Sequence, residues 1–182
     1  LGVLGEHGRG TAEHFGLEDK VDILMGTFSK SLASVGGYIA SDASTIDFLR
    51  HTVRPYIFTA SIPPAATAAA LAALQVMQEE TWRQENLWKV TNYALQRFRD
   101  EGFEVGPTQT PIIPLYVRDN EKTFQVTRIL YDKGVFVNPV VAPAVPSGDT
   151  LIRLSWMATH TLEQVDYAVK VINEAFHQLN IK

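Results

Sequence analysis

Lys30 has the clearest potential for chemistry, because this charged side chain lies among hydroxyls and glycines between two apolar runs. Residues 21–28 and 36–40 both have the pattern of core strands, so Lys30 is expected on the short connection between them. A lysine held there would be desolvated, and desolvation favours the free amine over the ammonium form. The free amine is a nucleophile that can attack a carbonyl and form a Schiff base.

The neighbours of Lys30 extend this chemistry. Side-chain hydroxyls suited to binding a phosphate occur at Thr27, Ser29, Ser31 and Ser34. Gly36 and Gly37 follow, and glycine allows backbone to approach a ligand closely. Amine, hydroxyls and glycines are together the parts of a pyridoxal phosphate site. The same residues are also compatible with a solvated loop lysine. A nucleotide-binding P-loop is excluded, because Leu24 and Ser29 occupy its glycine positions.

Arg153 is a second candidate, since it interrupts an otherwise apolar strand at residues 151–156. A lone guanidinium in such a strand must reach solvent or bind an anion. From the pattern alone, the exposed face of an edge strand and an anion site both remain open.

Three segments, residues 27–40, 54–64 and 152–161, resemble the alpha-oxoamine synthases in sequence and in order. These are fold-type I pyridoxal phosphate enzymes that condense an amino acid with an acyl-CoA. The resemblance implies an α/β fold that is aspartate aminotransferase-like. Residues 1–84 would form the C-terminal part of the large cofactor-binding domain, and residues 85–182 a small C-terminal α+β domain.

The resemblance also implies a role for each matched residue. Lys30 would be the catalytic lysine that carries pyridoxal 5'-phosphate, and Thr27 would bind the cofactor phosphate. Thr59 and Ala60 would reach the phosphate of the neighbouring subunit, which implies a homodimer with a shared active site. Arg153 would bind the carboxylate of the amino-acid substrate, a task suited to a planar guanidinium.

Residues 28–31 are most similar to the serine palmitoyltransferase type. The 8-amino-7-oxononanoate synthase and 2-amino-3-ketobutyrate CoA ligase types more often place Leu-Gly before the lysine. The expected reaction joins serine, glycine or alanine to an acyl-CoA with decarboxylation, giving an aminoketone. Residues 1–10 resemble the segment that follows the family's Asp-x-x-His motif, so this chain is expected to be a C-terminal half. An alternative of another class is therefore a non-catalytic fragment, and the chain alone is expected to be inactive.

Composition and charge bear on the possible partners, compartment and metal content of this protein. The net charge of −4, without a basic cluster, gives no electrostatic case for nucleic acid. The chain contains no cysteine, which fits a cytoplasmic location. The most apolar helical segment, residues 64–77, is shorter than the roughly 20 residues that a transmembrane helix needs. His7 and His14 lack zinc-site spacing, so no metal site is predicted.

The elements that must position these residues follow from periodicity. In the first half, the predicted strands are 22–28, 36–41 and 55–59, alternating with helices 43–51 and 64–80. This order predicts part of a predominantly parallel sheet. A helix over 82–101 then leads to strands 111–118, 135–138 and 150–156 and to helices 121–133 and 162–178. Thr161 and Gln164 form a capping box for the last helix, and His160 is assigned a structural role.

Overall fold

The structure, a computed structural model, describes all residues from 1 to 182. The chain divides into two compact units, Leu1–Gln84 and Glu85–Lys182. The identification of these units with the end of a large cofactor domain and a small C-terminal domain stays a prediction. No helix in the chain combines the length and the apolar character needed to cross a bilayer.

The first unit combines one strand pair with short helices. Its helices are α1 (Thr11–His14), α2 (Ala43–Thr52), α3 (Arg54–Phe58) and α4 (Pro64–Glu79), with a 3-10 turn at Glu18–Lys20. Its strands are β1 (Leu24–Thr27) and β2 (Gly37–Ala40). They pair antiparallel, with Leu24 opposite Ala40 and Thr27 opposite Gly37. The predicted helices 43–51 and 64–80 are confirmed as α2 and α4.

Three expectations about the first unit are wrong. The only strand pair that this unit contains is antiparallel, not parallel. The strand expected at 55–59 is helix α3, because Pro55 suits a first helical turn, where its missing N–H costs nothing. The run around β1 is not buried in this chain: Met25 is 77% exposed, since one paired strand alone cannot cover both faces.

The second unit packs helices against a three-stranded sheet. Helix α5 (Trp82–Asp100) leads into it, and α6 (Asn120–Asp132) and α7 (Leu162–Gln178) follow. The strands are β3 (Ile112–Tyr116), β4 (Asn138–Val140) and β5 (Leu151–Ser155), in the order β3-β5-β4 with both pairs antiparallel. The predicted helices are confirmed, and so are the strands predicted at 111–118 and 150–156, which are β3 and β5.

Strand β4, the second of this unit along the chain, begins later than predicted. Instead of spanning residues 135–138, β4 begins at Asn138. The preceding residues complete the end of α6: Gly134 donates to the Tyr131 carbonyl at 3.0 Å, and Val135 donates to the Leu130 carbonyl at 2.8 Å. Carbonyls at a helix end need such partners, so this segment is used for capping and not for pairing.

The core of the second unit lies between the helices and one sheet face. Its largest fully buried side chains are Phe98, Phe176, Ile113, Leu115, Leu130, Ile152 and Ile172. Phe103 packs edge-on against Phe98 and Phe176, with ring centroids 5.4 and 5.0 Å apart. Along β5, Ile152 and Leu154 enter this core. Arg153 alternates with them and is therefore exposed on the opposite face.

Candidate active site

Lys30 lies in the loop that connects β1 to β2, as predicted. Backbone hydrogen bonds make this loop compact: Phe28 donates to the Gly36 carbonyl at 2.9 Å, and Ser34 donates to the Phe28 carbonyl at 3.0 Å. The Lys30 side chain is exposed and has no hydrogen bond or ion pair in the structure. The expected desolvation is therefore wrong for this chain, although the amine is unengaged.

The four hydroxyls near Lys30 divide into two pairs. Ser31 donates to the Leu1 carbonyl at 2.6 Å, and Ser34 donates to the Ala66 carbonyl at 2.7 Å, so both anchor the loop.

Thr27 and Ser29 behave differently, because their hydroxyl oxygens lie 2.7 Å apart and both residues are exposed. The Ser29 N–H also donates to the Thr27 hydroxyl, at 3.2 Å. The Thr27 hydroxyl also donates to the Gly36 carbonyl at 3.3 Å. Both hydroxyls are at the surface, so a phosphate could accept hydrogen bonds from them in exchange for their present partners. An exposed amine and a nearby hydroxyl pair are chemically suited to pyridoxal phosphate.

The glycines around the loop allow close contacts within the unit. A Cβ on Gly37 would lie 2.6 Å from the Gly26 carbonyl oxygen, and one on Gly26 would lie 2.3 Å from the Tyr38 ring. Gly36 has φ +99°, in the left-handed region that favours glycine. Gly26 and Gly37 therefore allow the close approach of β1 to β2. The sequence analysis expected Gly36 and Gly37 to allow close approach to a ligand instead.

Thr59 and Ala60 lie directly after α3 and are both exposed, and Thr59 has an extended backbone. Neither the Thr59 hydroxyl nor the Ala60 N–H has a hydrogen-bond partner in the structure. Both donors are therefore free for a group outside this chain. No hydrogen bond joins either residue to Lys30 in the structure.

A cavity of about 610 Å³ lies beside the strand pair and is lined by Thr27, but not by Lys30, Thr59 or Ala60. Arg50 from α2 and Tyr56 from α3 also line it. Sequence reasoning did not assign a role to either residue.

Arg153 occupies the central strand of its sheet, which corrects the edge-strand interpretation. It lies opposite Asn138 in β4 and donates from Nη2 to the Asn138 Oδ1 at 3.3 Å. No carboxylate forms an ion pair with it. Arg153 and Asn138 line a cavity of about 700 Å³ whose other walls include Phe136, Trp156 and Tyr167. A guanidinium in a partly apolar cavity without a counter-ion is suited to an anionic ligand.

The turn after β5 is fixed by polar contacts. His160 accepts the Met157 N–H at Nδ1, at 3.1 Å, and its ring is edge-on to Trp156. Burial lowers the pKa of His160, which favours the neutral ring that this acceptor role needs. Asn86 of α5 donates to the Ala158 carbonyl. His160 thus acts structurally here, as predicted, whereas Asn86 carries no local sequence signal.

The segment with His7 and His14 has a structural explanation. The Glu13 carboxylate accepts the backbone N–H of His7 at 3.2 Å and that of Arg9 at 3.0 Å, which closes the glycine-rich loop before α1. No cluster of three or more potential metal ligands is found in the chain.

Comparison with known proteins gives a consistent picture. The family profile described as aminotransferase class I and II matches residues 2–172. The serine palmitoyltransferase of Bacteroides ovatus is 59% identical over 181 residues, which cover 100% of this chain and 46% of that protein. The 8-amino-7-oxononanoate synthase of Bacillus pumilus is 43% identical, covering 99% of this chain and 46% of that protein.

Solved structures agree with the sequence matches. A structure of serine palmitoyltransferase with a pyridoxal phosphate internal aldimine superimposes with a TM-score of 0.94 at 32% identity, covering 100% of this chain and 46% of that chain. The chain thus spans about half the length of the relatives it matches. These matches confirm both the resemblance and the fold class predicted from the sequence.

Proposed function

This chain belongs to the aminotransferase class I and II family, and we propose that it forms part of a pyridoxal phosphate-dependent acyltransferase of the alpha-oxoamine synthase type. The whole protein would condense an amino acid with an acyl-CoA, with decarboxylation, to give an aminoketone. The observation that carries the proposal is the unengaged Lys30 amine beside the Thr27 and Ser29 hydroxyl pair. All of this chain matches serine palmitoyltransferases, at 58–60% identity, and this match favours that type, with serine as the amino acid.

Each residue has a definite task in this proposal. Lys30 would attach the cofactor through its amine. Once that amine is free of the cofactor, it would accept and later return the α-proton of the amino acid. Thr27 would bind the cofactor phosphate, and Arg153 would orient the substrate carboxylate. When bound, the cofactor supplies the electron sink for a carbanion.

Thr59 and Ala60 lead to the proposal of a homodimer. Their free hydroxyl and N–H would bind the phosphate held by the neighbouring subunit, so the active site would be shared. A cytoplasmic location is also part of the proposal, supported by the absence of cysteine.

Two other functions follow from particular observations. The 43% identity to an 8-amino-7-oxononanoate synthase supports that activity as the second candidate. A 2-amino-3-ketobutyrate CoA ligase activity rests on the sequence resemblance alone. Release of free CoA with serine, alanine or glycine, compared across acyl-CoA substrates, would distinguish these types. The exposure of Lys30 and of the strand pair supports a non-catalytic role for this chain by itself.

The attachment test uses a protein of the relatives' length that contains this chain. After incubation with pyridoxal phosphate and borohydride reduction, intact mass and peptide mapping should place one pyridoxyl group on Lys30. Lys30→Ala should abolish the increment, whereas Lys20→Ala, which removes another exposed lysine, should retain it. An equal increment in the Lys30→Ala variant would contradict the assignment. The same measurement on residues 1–182 alone tests whether this chain holds the cofactor by itself.

A further inference from the structure

The orientation of Arg153 is set by one neighbour. Asn138 and Arg153 are directly opposed in the β4–β5 register, so their side chains are cross-strand neighbours on one sheet face. The Arg153 Nη2 donates to the Asn138 Oδ1 at 3.3 Å. This is the only side-chain hydrogen bond of Arg153 in the structure. A guanidinium carries five N–H donors, so the remaining donors stay available.

The partner of Arg153 differs in charge from those of other arginines in the second unit. Arg97 pairs with Asp166 at 2.8 Å, and Arg128 pairs with Asp132 at 3.0 Å. In those pairs a carboxylate largely offsets the positive charge. The Asn138 amide accepts a hydrogen bond without adding negative charge, so Arg153 is held and its charge stays uncompensated.

The surroundings of the pair favour an external anion. Both side chains line the 700 Å³ cavity, and Arg153 is exposed to solvent there. Glu163 is the one carboxylate among the lining residues, and it forms no ion pair with Arg153. An accessible guanidinium without a counter-ion can bind an external carboxylate through two parallel N–H donors.

We propose that Asn138 is a positioning residue that orients the Arg153 guanidinium for carboxylate binding and, being uncharged, leaves that guanidinium free to bind. This inference rests on the proposed function for the identity of the ligand, the carboxylate of an amino-acid substrate. The geometry of the pair itself lies entirely within the second unit.

The decisive variant is Asn138→Asp, which has nearly the same shape but adds a carboxylate. An Asp at this position would form a cross-strand ion pair with Arg153 and compete with any external carboxylate. Asn138→Ala would remove the orienting bond without adding charge. The matched control is Asn92→Asp, which adds the same charge at an exposed position of α5.

The first readout needs neither cofactor nor turnover. The side-chain N–H resonance of Arg153, assigned with Arg153→Lys, is followed in residues 1–182 while acetate is added. We expect acetate to shift this resonance in the wild type and in Asn92→Asp. Asn138→Asp should weaken the apparent affinity about twofold to fivefold, as expected for competition by an exposed ion pair. Circular dichroism confirms that each variant is folded.

The second readout is steady-state kinetics in the longer protein. Asn138→Asp should raise KM for the amino acid about twofold to fivefold, leaving KM for the acyl-CoA unchanged, and Asn138→Ala should have a smaller effect of the same kind. Equal behaviour of Asn138→Asp and Asn92→Asp in the acetate titration or in KM would overturn the inference. A normal acetate effect without any aminoketone formation would instead reject the proposed function and leave the positioning role supported.

Discussion

The two units of this chain differ sharply in how they bury apolar side chains. The first unit fully buries only Leu32 and Ala70 among its hydrophobic residues, whereas the second buries a continuous cluster from α5, α6, α7 and the sheet. Yet the first unit is no less apolar in its strands and in α4. The difference shows that apolar sequence needs partners before it becomes a core. Within this chain, only the second unit supplies them.

This difference extends to the two candidate residues, Lys30 in the first unit and Arg153 in the second. Arg153 lies on a central strand whose opposite face is packed, so its backbone is held by its own unit. Lys30 lies in a loop held by backbone hydrogen bonds and two serine hydroxyls, next to exposed strands. The backbone that carries Arg153 is therefore fixed by packing within its own unit, whereas Lys30 would need further surroundings to be desolvated.

The largest expected effect contrasts one phenylalanine in each unit. Phe98→Ala should lower the free energy of unfolding of the second unit by about 3–5 kcal/mol, because Phe98 is 0% exposed and its removal leaves a cavity. Phe58→Ala should change stability by less than about 0.5 kcal/mol, since Phe58 is 78% exposed. Urea titration followed by circular dichroism measures both. Similar losses for the two variants would show that the first unit has a core that the structure lacks.

A smaller effect is expected at the helix N-termini. Thr161 accepts the Gln164 N–H at 3.2 Å and completes a capping box, so Thr161→Ala should destabilise the second unit by about 1 kcal/mol. Asp42 caps α2 by accepting the Thr45 N–H at 2.9 Å.

Replacing Asp42 tests whether α2 unfolds separately from the second unit. Asp42→Ala should accelerate hydrogen exchange in residues 43–52 and leave the main unfolding transition unchanged. If Asp42→Ala shifted the main transition as much as Thr161→Ala, the two units would be unfolding as one.

The smallest effect concerns pH and is confined to the second unit. Burial lowers the pKa of His160, so the unfolded chain binds this proton at a higher pH than the folded one. This contribution to stability is complete above the ordinary histidine pKa of about 6.5. It is lost progressively as pH falls from there towards the lower pKa of the folded state. A protonated Nδ1 also cannot accept the Met157 N–H.

The measurement compares the wild type with His160→Asn, which keeps an acceptor but does not titrate. Urea unfolding from pH 7 to pH 5 should show a shallower loss of stability in the variant. His177→Asn, at an exposed helical position, serves as the control. Identical slopes for all three proteins would mean that His160 does not contribute to the pH dependence.

Much of the helical structure follows from local sequence. The expected helix 162–178 coincides with α7, and its capping box is formed by the predicted pair. Helix 64–80 matches α4 to within one residue. These elements are set by contacts three or four residues apart, so a sequence window contains the needed information.

The wrong predictions of secondary structure concern segments whose backbone N–H and C=O groups could form hydrogen bonds in more than one way. Residues 55–59 contain aromatic and β-branched residues typical of strands, but no neighbouring strand is available to them in this chain, and Pro55 opens a helical turn instead. Residues 134–135 cap α6 through their N–H groups, which delays β4 to Asn138. In both cases the tertiary or helix-end context decided between local alternatives.

By itself, the sequence determined the five longer helices, the loop that carries Lys30 and the family to which the chain belongs, because local periodicity and motif order encode them. Only the tertiary structure decided that β5 is central, that Asn138 lies opposite Arg153, and that the apolar strands of the first unit are exposed. Strand pairing joins residues distant in the chain, and burial depends on which surfaces meet. Neither quantity can be read from neighbouring residues along the chain.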